Sequence, residues 1–424
     1  MKAKKAAALL LSGSMLCGLT ACGQHETVVT ENKENIVISL SWWGNDVRNE
    51  YTIKAAQKFE ELNPGITVKC NYSEWSGYQV RSNVQMVSNT EADVMQINYA
   101  WIEQYSPDGM GFYDINTLSD HVDLSNFRQS DIDFGMKNGR LNALPIALNT
   151  QTVYINKTLY DEYGLDIPKT WDDVFAAAEK MNGEHYPLAV NNKAALFYMV
   201  AYAEQTSGKE FIKEDGSLGF GAEEFSIMLE FYKRLIDAGV TPQVEYFERI
   251  NNDSGMYAGT LAWLSDASSY MGGAEKAGYE VAIADYTSYE GADSLGWYTK
   301  PATMYAISAN TEYPKESAML LDFLLNSEEM AELQGVEKGI PISSSARAYL
   351  EKSGKLTGLQ YAAFEKMNEH SDKMKVISPY MENTDILEFV QESCNAVYYD
   401  KMTAEEGGKT LYENVNNVLK KLSE

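Results

Sequence analysis

Three short segments of this chain set aromatic rings directly beside amides and carboxylates: Trp42-Trp43-Gly44-Asn45-Asp46, Ser73-Glu74-Trp75 and Asn98-Tyr99-Ala100-Trp101. Indole and phenol rings offer rigid apolar faces. The flanking amides and carboxylates offer directed hydrogen bonds, charge-assisted where a carboxylate accepts. Together they suit a ligand with an apolar face and a polar rim. Core packing uses the same rings, so the two readings must be separated by position. Trp42 alternates with Trp43 along an extended run and points back into a sheet, which makes it structural. Trp171, at the start of a helix, is read as structural too.

Other chemistries lack their residues. The four histidines, His25, His121, His185 and His370, lie far apart in sequence, and neither His-Glu-x-x-His nor Cys-x-x-Cys occurs. A dedicated metal site is therefore not expected. There is no Gly-x-Ser-x-Gly elbow and no phosphate-binding loop, and Gly109-Met110-Gly111 fails as a dinucleotide fingerprint because Asp114 stands where a glycine is required. No cofactor is expected. A glycoside hydrolase needs two carboxylates flanking the scissile bond; with 61 acidic residues a pair is always available, and Asp46 with Glu74 is the suspect one. The alternative function is thus an extracellular glycosidase. The plainer role for both residues is to accept hydrogen bonds without catalysis.

The aromatic segments follow from the elements around them. Residues 36–42 alternate around β-branched side chains as a strand does. Ala55, Phe59 and Leu62 recur at helical spacing before Asn63-Pro64-Gly65 stops the helix. Residues 66–70 form a second strand, Val80, Val84 and Val87 mark a second helix, and residues 93–97 form a third strand. This order implies βαβ units and a parallel sheet. Ligands of such sheets gather beyond the carboxyl ends of the strands, where all three aromatic segments fall. Further on, residues 153–155 read as a strand and Thr170-Trp171-Asp172-Asp173 as a capping box. Phe225, Leu229, Tyr232 and Ile236 form a buried helical stripe. A strand at 303–308, a helix at 314–326 and a largely helical tail from about 360 to 422 complete the α/β organisation.

The amino terminus fixes the compartment. Met1-Lys2-Ala3-Lys4-Lys5 precedes an apolar run that is too short to span a bilayer and matches a secretory signal. The run ends at Leu19-Thr20-Ala21-Cys22-Gly23. The cysteine after small residues resembles the lipobox of bacterial lipoproteins, which implies a signal peptide over 1–21 and a diacylated Cys22. Two acyl chains hold a protein stably on a membrane. Residues 22–35 are polar and read as a disordered tether. The net charge of −26 becomes more negative once Lys2, Lys4 and Lys5 are removed. Such a surface repels nucleic acid, which is excluded as a partner. The mature chain exceeds the size of a single core, so two domains are expected. Cys70 and Cys394 are too few for a disulfide scaffold and read as buried thiols, with a single bridge left open.

The chain resembles the extracellular solute-binding proteins of ABC sugar importers, the broad family of maltose-binding-protein-like receptors. The resemblance covers the whole mature chain. It is carried by residues 41–44 (Ser-Trp-Trp-Gly), 59–68, 92–96, 144–150 (Leu-Pro-Ile-Ala-Leu-Asn-Thr), 154–157, 259–263 (Gly-Thr-Leu-Ala-Trp), 296–301 (Gly-Trp-Tyr-Thr-Lys-Pro) and 337–341 (Glu-Lys-Gly-Ile-Pro). It implies a two-lobed α/β fold with a ligand cleft between the lobes: residues 36–148 plus 301–342 in one lobe, and 149–300 plus 343–424 in the other, with crossings near Asn149, Lys300 and Ser343. It implies a monomeric receptor on the outer face of the cytoplasmic membrane that hands a sugar to the importer's transmembrane subunits. The expected ligand-binding residues are Trp43, Asn45, Asp46, Glu74, Trp75, Asn98, Tyr99 and Trp101 from the strand ends, and Asn149 and Lys300 from the crossings. Trp263 and Trp297 are the stacking platforms of the second lobe. Several platforms in succession point to an oligosaccharide.

Overall fold

The computed structural model describes residues 35–190, 192–213, 215–250, 253–263 and 268–423. The expectations for the signal peptide, Cys22 and the tether lie outside the described residues. The described chain opens with β1 (Ile36–Trp43), α1 (Asp46–Leu62), β2 (Ile66–Ser73), α2 (Trp75–Ser88), β3 (Val94–Ile97) and the short α3 (Trp101–Tyr105). β1 pairs in parallel with both β2 and β3, Trp43 standing opposite Ser73 and Ser41 opposite Met95. The carboxyl ends of all three strands therefore reach one edge of the sheet, as the βαβ pattern requires.

The α2 valines face the other way from the usual reading of such a stripe. Val80, Val84 and Val87 are exposed at 68%, 64% and 86%, while Tyr78 and Ser82 face inward. The Tyr78 hydroxyl donates to the Gln96 carbonyl at 2.8 Å and lies 3.0 Å from Ser41 Oγ. These buried bonds to β3 and β1 fix the rotation of the helix. An orphaned buried hydroxyl would cost roughly 1–3 kcal/mol.

A small hairpin, β4 (Met136–Lys137) and β5 (Arg140–Leu141), leads into β6 (Ala143–Asn156), a strand buried along all 14 residues. β7 (Gly259–Trp263) and β8 (Val281–Ile283) pair with the far half of β6; β9 (Tyr298–Ile307) pairs with its near half and with β3; β10 (Lys375–Val376) pairs with β9. Ile38, Val94, Leu144, Leu148, Met304 and Leu321 belong to one hydrophobic core. Val153, Val174, Leu229, Leu261, Tyr298 and Leu411 belong to another. β6 and β9 thus run from one core into the other, with Asn149 opposite Lys300 between them. The ladder is irregular between Pro145 and Leu148, where a bulge lets paired strands bend.

One expected boundary is corrected. Ser343 does not start a passage into the second core: it caps the helix Ser344–Lys352, whose Ala346 and Leu350 pack in the first core, as do Leu356, Phe364 and Met367. The chain packs against the second core from Met374 and is buried in it at Ile377. The capping box at Thr170 and Asp173, the buried stripe Phe225–Leu229–Tyr232–Ile236 and the helix Pro314–Asn326 form as expected. Cys70 and Cys394 are free thiols. Among the described residues no helix is long and apolar enough to cross a membrane, and no group of three or more His, Cys, Asp or Glu side chains is placed to hold a metal ion.

Candidate functional site: a cleft between two cores

The strand ends bring Trp43, Trp75 and Trp101 together. Trp43 closes β1, Trp75 opens α2 one residue beyond the Glu74 cap, and Trp101 opens α3. Ring centroids lie 4.9 Å apart for Trp43–Trp75, 6.2 Å for Trp43–Trp101 and 6.0 Å for Trp75–Trp101. Tyr78 lies parallel to Trp101 at 5.9 Å, and the two planes differ by 3°. Trp101 is buried and acts as the floor, Trp43 is half-buried, and Trp75 is 39% exposed. Trp75 is the ring of this cluster with the most open surface.

The polar residues beside these rings are partly committed. Asn45 caps α1, its Oδ1 accepting from the Arg48 amide at 3.0 Å, and Asn98 Oδ1 accepts from the Ala100 amide at 3.0 Å. Asp46 sits exposed in the first turn of α1; Glu74 sits exposed at the start of α2 and makes no cap bond through its side chain. Both carboxylates are exposed, whereas the general acid of a glycosidase is held in an enclosed setting that raises its pKa.

α3 divides its side chains between this cluster and a cavity of about 620 Å³. Trp101 and Tyr105 join the rings, while Ile102 and Glu103 line the cavity with Tyr99, Phe134 and Lys137. The opposite wall comes from the second core and its surroundings: Glu210, Lys213, Tyr298, Lys375 and Tyr380. The volume falls in the usual small-molecule range of ~300–1,000 Å³. Tyr99 is held edge-on by Phe134 at 6.3 Å, and burial raises its hydroxyl pKa. Behind Lys375 stands Glu204, fully buried, which accepts from Lys375 Nζ at 3.3 Å, from the Phe211 amide at 2.9 Å and from the Tyr298 hydroxyl. Burial first, and then the Glu204 charge, push the Tyr298 hydroxyl well above its ordinary value.

At the crossing, Lys300 Nζ donates to Glu382 Oε2 at 2.5 Å and stands 4.1 Å from the centre of the Trp263 ring. Trp263 Nε1 donates to Glu382 Oε1 at 3.0 Å, and Lys193 Nζ lies 3.3 Å from the same oxygen. Burial alone would raise the Glu382 carboxyl; the Lys300 charge and these donors outweigh it and hold the group below its ordinary value. Trp263 is thereby braced; it is buried in the second core with one face occupied by an ammonium, and it is not among the residues that line the cavity. Asn149 is buried opposite Lys300.

Trp297 is not a platform. It is wholly buried in the second core, its Nε1 donating to the Thr287 carbonyl at 3.0 Å and its ring packed by Tyr198 and Tyr286. The cause is local: Gly296 turns at φ +64° with its Cα against Ala201, where a Cβ would meet the Ala201 Cα at 2.6 Å. Sequence reasoning also missed Glu382, Lys193, Glu204, Lys375 and Tyr380. Their only local signal is the Asn383 cap that opens the helix Thr384–Tyr398 just after Glu382.

Two cores joined by crossing strands, with a cavity lined from both sides, define a two-lobed binding protein. Residues 45–331 match the family described as bacterial extracellular solute-binding protein, and the chain belongs to that family. Among solved structures it is similar to a periplasmic solute binding protein from Pectobacterium atrosepticum (29% identical, 92% of this chain and 100% of that one, TM-score 0.83). It is also similar to a periplasmic oligogalacturonide binding protein from Yersinia enterocolitica (30% identical, 92% and 100%, TM-score 0.81). A de novo designed cysteine esterase shares the fold as well (30% identical, 92% and 99%, TM-score 0.86).

Proposed function

We propose that this chain is an extracytoplasmic receptor that captures an oligosaccharide between its two cores and delivers it to the transmembrane subunits of an ABC importer. In this reading it is a monomer held to the membrane through Cys22, and it performs no catalysis. The observation that carries the proposal is the cavity lined from both cores, with Tyr99 and Glu103 on one wall and Lys375 and Tyr380 on the other, next to the tryptophan cluster. The names of its relatives support a carbohydrate: one structural neighbour binds oligogalacturonide, and another relative, from Halalkalibacterium halodurans, binds arabinooligosaccharide.

The physical sequence is short. A pyranose has apolar C–H faces for the Trp75 and Trp43 rings and a hydroxyl rim for the charged and amide side chains. A ligand touching both walls stabilises a closed arrangement by its differential affinity for it. The motion is assigned to the irregular ladder of β6 and β9 between Pro145 and Leu148, next to Asn149 and Lys300. The importer then reads the closed form.

A cysteine-esterase reading finds no activated thiol among the described residues. Burial, with the Glu60 charge adding, pushes the Cys70 thiol up to about 11, and burial raises the enclosed Cys394 thiol further. A reactive cysteine needs the opposite shift. The test is a thermal-shift screen of the mature protein against a glycan library. Ligand at ~100 times its dissociation constant should add ~2.7 kcal/mol of stability. A library of malto-, cello-, xylo-, arabino- and galacturono-oligosaccharides that leaves the melting temperature unchanged throughout would defeat the proposal, as would cleavage of any of them.

A further inference from the structure

Resting on the carbohydrate reading above, we infer that the oligosaccharide is uncharged, and that the cleft discriminates against uronates. Most cations around the cavity are already held by carboxylates of this chain. Lys137 is paired with Glu103 at 2.7 Å. Lys375 is paired with Glu204 at 3.3 Å and with Glu210 at 3.1 Å. At the crossing, Lys300 and Lys193 share Glu382. Among the described residues, Lys213 is the one lysine of the lining with no carboxylate within ion-pair distance, and Asp215 lines the same cavity two residues on. Among the described residues no arginine lines it. Asp133 and Asp215 add carboxylates: Asp133 accepts from Gln129 Nε2, and Asp215 accepts from Ser217, whose bonds together with the nearby Lys213 charge hold it below its ordinary value.

A hydroxyl both donates and accepts, whereas a carboxylate only accepts. A sugar hydroxyl can therefore lie across a lysine–glutamate pair, accepting from the ammonium and donating to the carboxylate, and leave the pair intact. A uronate must compete for the ammonium. At Lys375 that means drawing the lysine away from Glu204, which is fully buried and would be left with its charge uncompensated by any cation. Breaking such a pair from one side is strongly unfavourable. The remaining acids of the lining then repel the newcomer, in a chain whose net charge is already −26. The relatives' range of ligands does not fix this choice; the pairing of the cations in this chain does.

The test is isothermal titration of the mature protein at neutral pH against two groups of probes. One holds short malto-, cello-, xylo-, arabino- and galacto-oligosaccharides. The other holds oligogalacturonides together with their methyl esters, in which the same backbone carries no charge. The tightest binder should be uncharged, and at least about tenfold tighter than any free oligogalacturonide. Its affinity should stay within about twofold between low and high salt, because no ligand charge is there to be screened. Within the galacturonide series each ester should bind better than its acid. A free oligogalacturonide as the tightest ligand, or an acid preferred over its ester, overturns the inference and leaves the carbohydrate reading standing. Absence of binding by every probe removes the carbohydrate reading and the inference with it.

Discussion

Lys338→Met should change how the stability of the first core depends on pH. The ammonium is buried between Gln96 Oε1 at 2.9 Å and the Tyr305 hydroxyl at 3.0 Å, and among the described residues no carboxylate is paired to it. Burial, with the Arg48 charge adding, pushes this lysine from 10.5 down to about 7. That gap corresponds to on the order of 5 kcal/mol. The unfolded chain keeps the proton up to ~10.4 while the folded chain gives it up near 7, so the unfolded state binds more protons throughout that window. Stability contributed at this site must therefore rise with pH across the window. Methionine removes the titration and leaves Gln96 Oε1 and the Tyr305 hydroxyl unpaired, at a cost of roughly 1–3 kcal/mol each. The variant should be clearly less stable than the parent near pH ~10 and should approach or overtake it near pH ~7. Burial raises the Tyr51 and Tyr305 hydroxyls above their ordinary value, so neither titrates in between. Urea unfolding of both proteins across this range gives the difference directly. A stability difference that does not change with pH would refute the reasoning.

Trp75→Ala removes the most open ring of the tryptophan cluster and should weaken glycan binding about fivefold, worth ~1 kcal/mol, with little loss of stability; calorimetric titration with the tightest glycan checks it. Trp297→Phe should do the reverse: losing one of the two donors to the buried Thr287 carbonyl, which keeps Gln205 Nε2, should lower stability by roughly 0.5–1.5 kcal/mol and leave the dissociation constant nearly unchanged. The lowered Glu382 carboxyl contributes stability that is present above the ordinary glutamate value of ~4.3 and lost as pH falls through its folded value. Glu382→Gln should flatten that acid limb in a denaturation series, and should free Lys300 from its bridge beneath the Trp263 ring.

What could be read from the sequence was local or periodic. β1, α1, β2 and β3 follow from runs of alternating or helically spaced apolar residues, and the meeting of Trp43, Trp75 and Trp101 follows from the rule that parallel strands end on one side. β6 was legible only over 153–155, because Asn149, Thr150, Gln151 and Thr152 interrupt the apolar pattern; those polar residues are buried where the strand passes between cores. The rotation of α2 was hidden because one tyrosine hydroxyl, bonded to two neighbouring strands, outweighs three valines. Trp263 and Trp297 are both buried in the second core, a placement that their type and neighbours in the sequence do not signal. Glu382 and Glu204 lie 82 and 171 residues from the lysines they hold, so their pairing with Lys300 and Lys375 exists only in the folded chain.

A crystal structure of the mature protein grown with the tightest glycan of the titration series is the most direct test of the account. The sugar should lie in the gap between Tyr99 and Tyr380, reach the exposed face of Trp75, and leave the Lys375–Glu204 pair intact, with the two cores closer than in the free protein. A sugar bound on the outer surface, or one that sits in the gap with both cores unmoved, would contradict it.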